Sequence, residues 1–300
     1  MRTKTRYSYR SSIKSPISDE LINTYLLRPV AGLLVWPLYY TPVTPNQVTI
    51  ASVVAGLAAA IVYAQGTPDA FIYAGLLVTL KDLLDSADGQ LARAKRQYSR
   101  IGRFLDSIGD FVVDAAIFGV LGWLLFRSEG NPWMLILAFL GFLGISFRVS
   151  YHVFYHSHYL HLQNTYANNR ITEEVREEDV QKAGLELLLQ RLFQILYGWQ
   201  DRWVMRIDAW TARMSSDATS QTDRMQKNRK FARRWYSDPT GLRLSGFLGF
   251  GTELCILTIC SLFNKLETYL YINLFLMNGV LLACVIYRRA ILYSKLQHGG

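Results

Sequence analysis

Cysteine and histidine are both scarce, at 3 and 5 residues in a chain of 300. Cys255, Cys260 and Cys284 lie inside apolar runs without metal-ligand spacing, which leaves them as packing residues. Four histidines, His152, His156, His158 and His161, share one stretch, and the first two are i,i+4. No nearby cysteine and no HExxH arrangement backs a zinc site there, so an interfacial cluster among Tyr151, Tyr155 and Tyr159 is the better reading. The chain also lacks an internal repeat, a low-complexity tract and any base-reading motif. Its net charge of +9 therefore points to anionic lipid headgroups before nucleic acid. No cleavable signal peptide is expected, because the first apolar run follows a long polar leader.

Charge itself is missing from long stretches. Residues 46–65 carry none, and comparable runs recur at 70–90, 104–126, 132–150, 244–262 and 268–287, each near the ~20 residues that span a bilayer core. Six buried helices of a soluble bundle would show polar faces, and most of these do not. The expected fold class is an all-α bundle of six transmembrane helices with amphipathic interfacial helices and a cytoplasmic-side active site. Trp36, Tyr39, Tyr40, Trp133, Tyr269 and Tyr287 fall at the expected boundaries, as an aromatic belt does. Basic residues collect in the amino end, the 95–103 turn, the 158–242 stretch and the tail, whereas the alternate turns hold one each at most. By the positive-inside rule both termini and the 95–103 turn are cytoplasmic.

The expected organisation is a leader with an interfacial helix over 1–41, helices one to four over 42–157, a polar cytoplasmic insert over 158–242, and the last two helices with the tail over 243–300. Within the insert, apolar residues at 185, 188, 192, 196, 199, 203, 207 and 210 follow a helical period, which suits a helix on the membrane surface or against the bundle. The basic run 224–236 reads equally as a solvated helix or a headgroup contact. A weaker interfacial candidate, 19–40, is interrupted by Arg28 and Pro29.

Carboxylates in two of the apolar segments are the main exception to this pattern. Lys81, Asp82, Asp85 and Asp88 end the second segment, and Asp106, Asp110 and Asp114 begin the third. On helices, Asp85 and Asp88 are i,i+3 and the later three step by four, so each set lines one stripe. Facing stripes would gather four or more carboxylates at the cytoplasmic end, a cluster that repels itself unless cations or protons intervene. Divalent ions such as Mg2+ favour carboxylate oxygens, and a pair ~4 Å apart clamps a phosphoryl displacement. Salt bridges to Lys81, Arg93, Arg96 and Arg103 would account for one or two of the acids. Intramembrane carboxylates are otherwise functional by default. Gly89 and Gly102 remove side chains where a substrate phosphate comes close, and Arg93 offers a bidentate fork.

In order, Asp85-x2-Asp88-Gly89-x2-Ala92-Arg93-x8-Gly102-x3-Asp106-x3-Asp110 resembles the signature of the CDP-alcohol phosphotransferase family at every fixed position. Pro45-Asn46-Gln47-Val48-Thr49 is similar to the element that opens the first helix in many members. The resemblance covers roughly 40–150 and 243–290 and fades over the insert. It implies transfer of a phosphoryl-alcohol group, commonly phosphatidyl, from a CDP-alcohol donor to an acceptor alcohol with release of CMP, in phospholipid synthesis. It further implies a homodimer and two Mg2+ or Mn2+ ions on Asp85, Asp88 and Asp106. Asp110 would be the catalytic base and also touch a metal, while Gly89, Arg93, Gly102, Asn46 and Thr49 would border the nucleotide. Asp82 and Asp114 read as partners supporting the ligands rather than as ligands.

Outside the motif, Arg148 is read as binding an acceptor phosphate or snorkelling to headgroups. Glu253 either lines the acceptor cavity or hydrogen-bonds Asn273 or Asn278. Two donor classes remain open, CDP-diacylglycerol with a small polar acceptor and CDP-choline or CDP-ethanolamine with diacylglycerol. A divalent-cation transporter or channel is the alternative from another class. It predicts acids spread along a transmembrane path and leaves Gly89, Arg93 and Gly102 without a role.

Overall fold

The structure, a computed structural model, describes residues 7–13, 20, 22–164, 172–182, 184–213 and 229–298, and among them every regular element is helical. Residues 224–228 of the basic run and most of the amino-terminal basic leader lie outside the described residues. After a single turn at Tyr9–Ser12 and a π turn at Asn23–Leu27 come α1 (Arg28–Tyr39), α2 (Pro45–Tyr63), α3 (Pro68–Lys95), α4 (Arg100–Glu129) and α5 (Trp133–Leu162). The connecting segment holds α6 (Glu177–Lys182), α7 (Leu185–Thr211), α8 (Arg229–Tyr236) and α9 (Pro239–Gly246), followed by α10 (Phe250–Leu262). The last helix, α11, consists of Leu266–Tyr271, Asn278–Ile286 and Tyr293–His298 joined through π turns at Ile272–Met277 and Tyr287–Leu292.

Local chemistry places the helix ends. Thr44 and Gln47 form a capping box at the start of α2, with Pro45 in the first turn where its missing N–H is harmless. Thr67 and Ser99 cap α3 and α4 through the N–H groups of Ala70 and Gly102, at 3.2 and 3.1 Å. Arg96 ends α3 in the left-handed conformation (φ 55°), and after the four residues 96–99 α4 runs back antiparallel to it, with both helices packed on α2. Lys95 pins that turn to the strand-like entry of α2 through the carbonyls of Thr41 and Val43, at 2.8 and 2.6 Å.

Around α3 pack α1, α2 and α10, while α4 packs on α2 and α5. Ala59, Tyr63, Ala74, Val78, Ile117, Leu121, Leu137, Leu257 and Tyr269 fill the common core. Outward faces carry large apolar residues, among them Ile50, Ile61, Phe139, Phe263 and Leu282. Apolar on the inside and the outside alike, these helices suit a bilayer. Among the described residues, five stretches are long and apolar enough to cross one: Pro45–Tyr63, Arg100–Glu129, Trp133–Leu162, Lys230–Leu262 and Leu266–Gln297. The expected count of six is thus not reached. Segment 70–90 lies in α3, which has the length but carries Lys81, Asp82, Asp85 and Asp88 in the half that leads to the turn. Tyr269, expected in the aromatic belt, is instead fully buried in the core.

The periodic helix of the insert is present as α7, lying across α4 and α5. Its orientation is the reverse of a helix that packs by its apolar face. Leu185, Leu188, Leu192, Ile195, Trp199, Trp203 and Trp210 are exposed, whereas Gln190, Gln200 and Asp208 are buried. Tyr197 donates to the Ser107 carbonyl at 2.8 Å, and Gln200 bridges Ser146 and Ser150 at 2.7 and 2.6 Å. Asp208 accepts from Tyr155, Trp235 and Tyr236 at 2.8, 2.9 and 2.8 Å, tying α7 and α8 to α5. Asp208→Ala removes three hydrogen bonds to one buried carboxylate. It is expected to cost about 3–5 kcal/mol, read as a fall in the thermal midpoint in detergent that Asp208→Asn reproduces only in part.

Candidate active site

The antiparallel α3–α4 pair brings the two acidic stripes together. Single carboxylate oxygens of Asp85, Asp88 and Asp106 all lie within 4.8 Å of one another at the turn end of the bundle. Asp85 and Asp106 come into hydrogen-bond contact, an approach that two ionised carboxylates resist without a cation between them. Asp88 is held from α2, where the Thr49 hydroxyl donates to its Oδ2 while also reaching the Pro45 carbonyl at 3.2 Å. Oxygen-only donors of this kind fit a hard divalent ion such as Mg2+ or Mn2+.

Gly102 and Asn46 meet directly, since a Cβ on Gly102 would collide with Asn46 Oδ1. Only glycine lets that carboxamide seat against the first turn of α4. A Cβ on Gly89 would lie 3.3 Å from Arg93 Nη1, so the guanidinium covers the helix surface at that point. Arg93 Nε donates to the Ser12 carbonyl at 2.5 Å, which brings the amino-terminal turn to the rim.

Asp110 is one turn further into the bundle than Asp106. Its Oδ1 pairs with the Lys81 ammonium, and both side chains are almost wholly buried. Asp85, Asp82 and Asp114 also lie within electrostatic reach of the same ammonium. Of the four cations proposed as salt-bridge partners for these acids, Lys81 is the one with an ion pair to them among the described residues. Arg103 pairs with Glu173 instead. Arg100 joins Glu173, Asp179 and Glu186 at 2.8, 3.1 and 2.7 Å, so the first turn of α4 is strapped to the insert.

Arg148 and Glu253 are brought together. They form a fully buried ion pair, with Arg148 Nη1 also donating to the Asn273 carbonyl and Asn278 Oδ1 at 3.0 and 2.8 Å, and Asn273 donating to Glu253 at 2.9 Å. Neither faces an open cavity, and neither snorkels. Glu253→Gln would leave a buried guanidinium without its counter-charge, for which a loss of about 3–5 kcal/mol is expected. Chemical denaturation of the detergent-solubilised protein measures it. His152 and His156 are buried on α5 with rings 5.6 Å apart, and no metal-ligating group among the described residues contains them. A cavity of about 390 Å³, lined by Gly66, Phe71, Leu124, Ser128, Lys265 and Glu267, opens at the opposite end of the bundle, remote from the acids.

Two contacts went unread in the sequence. Ser12 lies 81 residues from the arginine it meets, and nothing local marks it. Tyr197 reaches Ser107, beside Asp106; its i,i+4 spacing from Phe193, on a side of α7 away from the exposed stripe, was the available signal.

Comparison with known proteins agrees with this geometry. The family profile described as CDP-alcohol phosphatidyltransferase matches residues 42–209. The match therefore runs through α7, where the resemblance was expected to fade, and does not include 243–290; packing of α7 on α4 and α5 makes it part of the same unit. The chain is 30% identical over 142 residues to a bifunctional IPC transferase and DIPP synthase of Thermococcus kodakarensis, covering 47% of this chain and 32% of that protein. It is 33% identical over 126 residues to a phosphatidylinositol phosphate synthase of Corynebacterium glutamicum, covering 42% and 55%. An archaetidylinositol phosphate synthase of Pyrococcus horikoshii is 41% identical over 80 residues, 26% of this chain and 40% of that one. The aligned regions thus span from about a third to just over half of these relatives. With the signature complete and its acids converged at one end of a multi-pass membrane bundle, the chain belongs to the CDP-alcohol phosphatidyltransferase family.

Proposed function

We propose that the protein transfers a phosphoryl-alcohol group, phosphatidyl in the favoured case, from a CDP-alcohol to an acceptor alcohol and releases CMP. The observation that carries this reading is the convergence of Asp85, Asp88 and Asp106 with Asp110 one turn deeper. The three converging carboxylates would hold Mg2+ or Mn2+ against the diphosphate. Such ions, when bound, neutralise charge on the bridging and departing phosphate oxygens. Asp110 takes the proton of the acceptor hydroxyl as it attacks the phosphorus of the transferred group, and the bond to CMP breaks. Gly89, Arg93, Gly102, Asn46 and Thr49 border the nucleotide, with Thr49 fixing the rotamer of Asp88.

The basic 95–103 turn supports a cytoplasmic site with both termini on that side, and homodimeric assembly is part of the same proposal. The names of two relatives carry inositol phosphate. They support a phosphatidyl-type donor with a small phosphorylated acceptor over a CDP-choline-type donor. Arg148 is not assigned to that acceptor, because Glu253, Asn273 and Asn278 already occupy its guanidinium. Confinement of the acids to one end of one helix pair speaks against a cation pathway through the bilayer.

CMP release by the detergent-purified protein with Mg2+ tests the reading, with CDP-diacylglycerol and CDP-choline offered separately against a panel of alcohols that includes inositol phosphate. Strict dependence on one donor and one acceptor identifies the reaction. Absence of CMP from every pairing, with folded protein, sinks it.

A further inference from the structure

We propose that α7 is an in-plane float: its outward apolar stripe lies among the upper acyl carbons of the leaflet at the turn end of the bundle, and its arginine edge meets that leaflet's phosphates. The occupant of the stripe is a phospholipid surface, not a second copy of the chain. This placement is independent of the reaction, and only its use for a lipid-linked donor rests on the functional reading above.

Three bands run along α7. Gln190, Tyr197, Gln200, Val204 and Asp208 are buried against the protein. Opposite them, Leu188, Leu192, Ile195, Trp199, Trp203 and Trp210 fall within a quarter of the circumference at about 100° per residue. All six are exposed, Ile195 by 71% and Trp210 by 56%. The edges between these bands differ: one carries Arg191, Gln194, Asp201 and Arg202, the other Leu189, Leu196 and Ile207. A helix lying in a bilayer interface needs that sidedness, with one edge toward the headgroups and one toward hydrocarbon.

The contacts of α7 orient those edges and fix their depth. Its polar edge shares a cleft with Glu173 and Glu174, and Glu173 is bound by Arg100 and Arg103 in the first turn of α4. Further into the bundle, Tyr197 reaches the Ser107 carbonyl and Gln200 reaches Ser146 and Ser150 of α5. Both partners belong to stretches that can cross a membrane, so α7 lies level with Asp106. Beyond these contacts, away from the turn end, α4 and α5 expose Val112 and Phe139, and the stripe continues that lipid-facing surface.

Composition selects the occupant. Half of the stripe is tryptophan, whose apolar ring and polar N–H suit an interface, and Arg191 and Arg202 are exposed where lipid phosphates would lie. Arg206 sits in the outward band, its guanidinium 5.2 Å from the Trp203 ring, and can snorkel to the same level. Packing the stripe on a second copy would bury that guanidinium against a band that holds no acid. Since Ser107 adjoins Asp106, the depth of α7 is passed to the acidic triad, which then stands where the diphosphate of a lipid-linked donor lies.

Nitroxide labels on Ile195→Cys and, separately, Arg202→Cys test the placement, in a chain with Cys255, Cys260 and Cys284 replaced by alanine and reconstituted into vesicles of phosphatidylcholine and phosphatidylglycerol. Power saturation compares collisions with oxygen, which partitions into hydrocarbon, and with a water-soluble nickel chelate. Oxygen should dominate at position 195, and the ratio should reverse at 202. Leu188→Cys repeats the first measurement should Ile195→Cys fail to fold. Nickel dominating on the stripe would place it in water and overturn the proposal. Dipolar broadening between labels of two copies, as helices packed about 8–10 Å apart produce, would make the stripe a subunit contact and overturn it equally. No donor or turnover is needed, so a failed CMP assay would sink the functional reading without touching this result.

Discussion

Asp110→Asn is expected to lower CMP release by at least about 10³-fold, since a positioned general base contributes roughly 10²–10⁴ and the amide cannot accept the proton. Shape is preserved, and Asp82 and Asp114 remain beside Lys81, so the bundle should stay folded. Donor binding should persist because the triad that faces the diphosphate is untouched. Single-turnover assays paired with equilibrium binding of a CDP-alcohol separate the two effects. Turnover within tenfold of wild type would remove Asp110 as the base. Loss of donor binding would make it a ligand instead.

Asp88→Ala should do the opposite and abolish ion and nucleotide binding together. Its carboxylate is one of three converging on a single point, and its removal also strips Thr49 of its acceptor. Groups that merely support metal ligands are worth roughly 10–100-fold in affinity, so loss of a ligand should exceed that upper figure. Thr49→Ala, which only frees the Asp88 rotamer, should fall within it. Calorimetric titration with Mn2+, with and without a CDP-alcohol, gives both numbers. Ion affinity unaltered in folded Asp88→Ala would show that the triad is not the ion site.

The acidic hairpin was legible because spacing alone puts Asp85 with Asp88 and Asp106 with Asp110 on single faces. Which cation meets which acid was not legible. Lys81, Arg93, Arg96 and Arg103 all stand close in sequence, and only packing shows that Lys81 turns inward while Arg103 turns to Glu173. The bond of Glu253 to Asn273 was among the expected alternatives, but its pairing with Arg148 was not, because that partnership spans 105 residues and no local pattern encodes it. The stripe on α7 was visible as a period. A period states contrast between two faces, however, and not which one meets protein. Here the polar face is buried because Gln200 and Asp208 find partners on α5. The second segment meets the bilayer by length but not by composition, because the half that leads to the turn is given over to charge.

The two π turns of α11 make its residue count a structural quantity. Within Ile272–Met277 the wider turn leaves the Asn273 carbonyl for Arg148, and within Tyr287–Leu292 it carries Arg288, whose guanidinium lies 3.4 Å from the Tyr155 ring centroid. Each α-helical residue advances the helix face by about 100°. A one-residue deletion at 272–277 would therefore collapse the wider turn to a regular one, keeping the following face in place but withdrawing the Asn273 carbonyl from Arg148, whereas a one-residue deletion in the α-helical part at 278–286 would swing Arg288 off its aromatic seat. Loops of this protein can gain or lose residues at their tips, but this helix is keyed, like a lock, to its number of teeth.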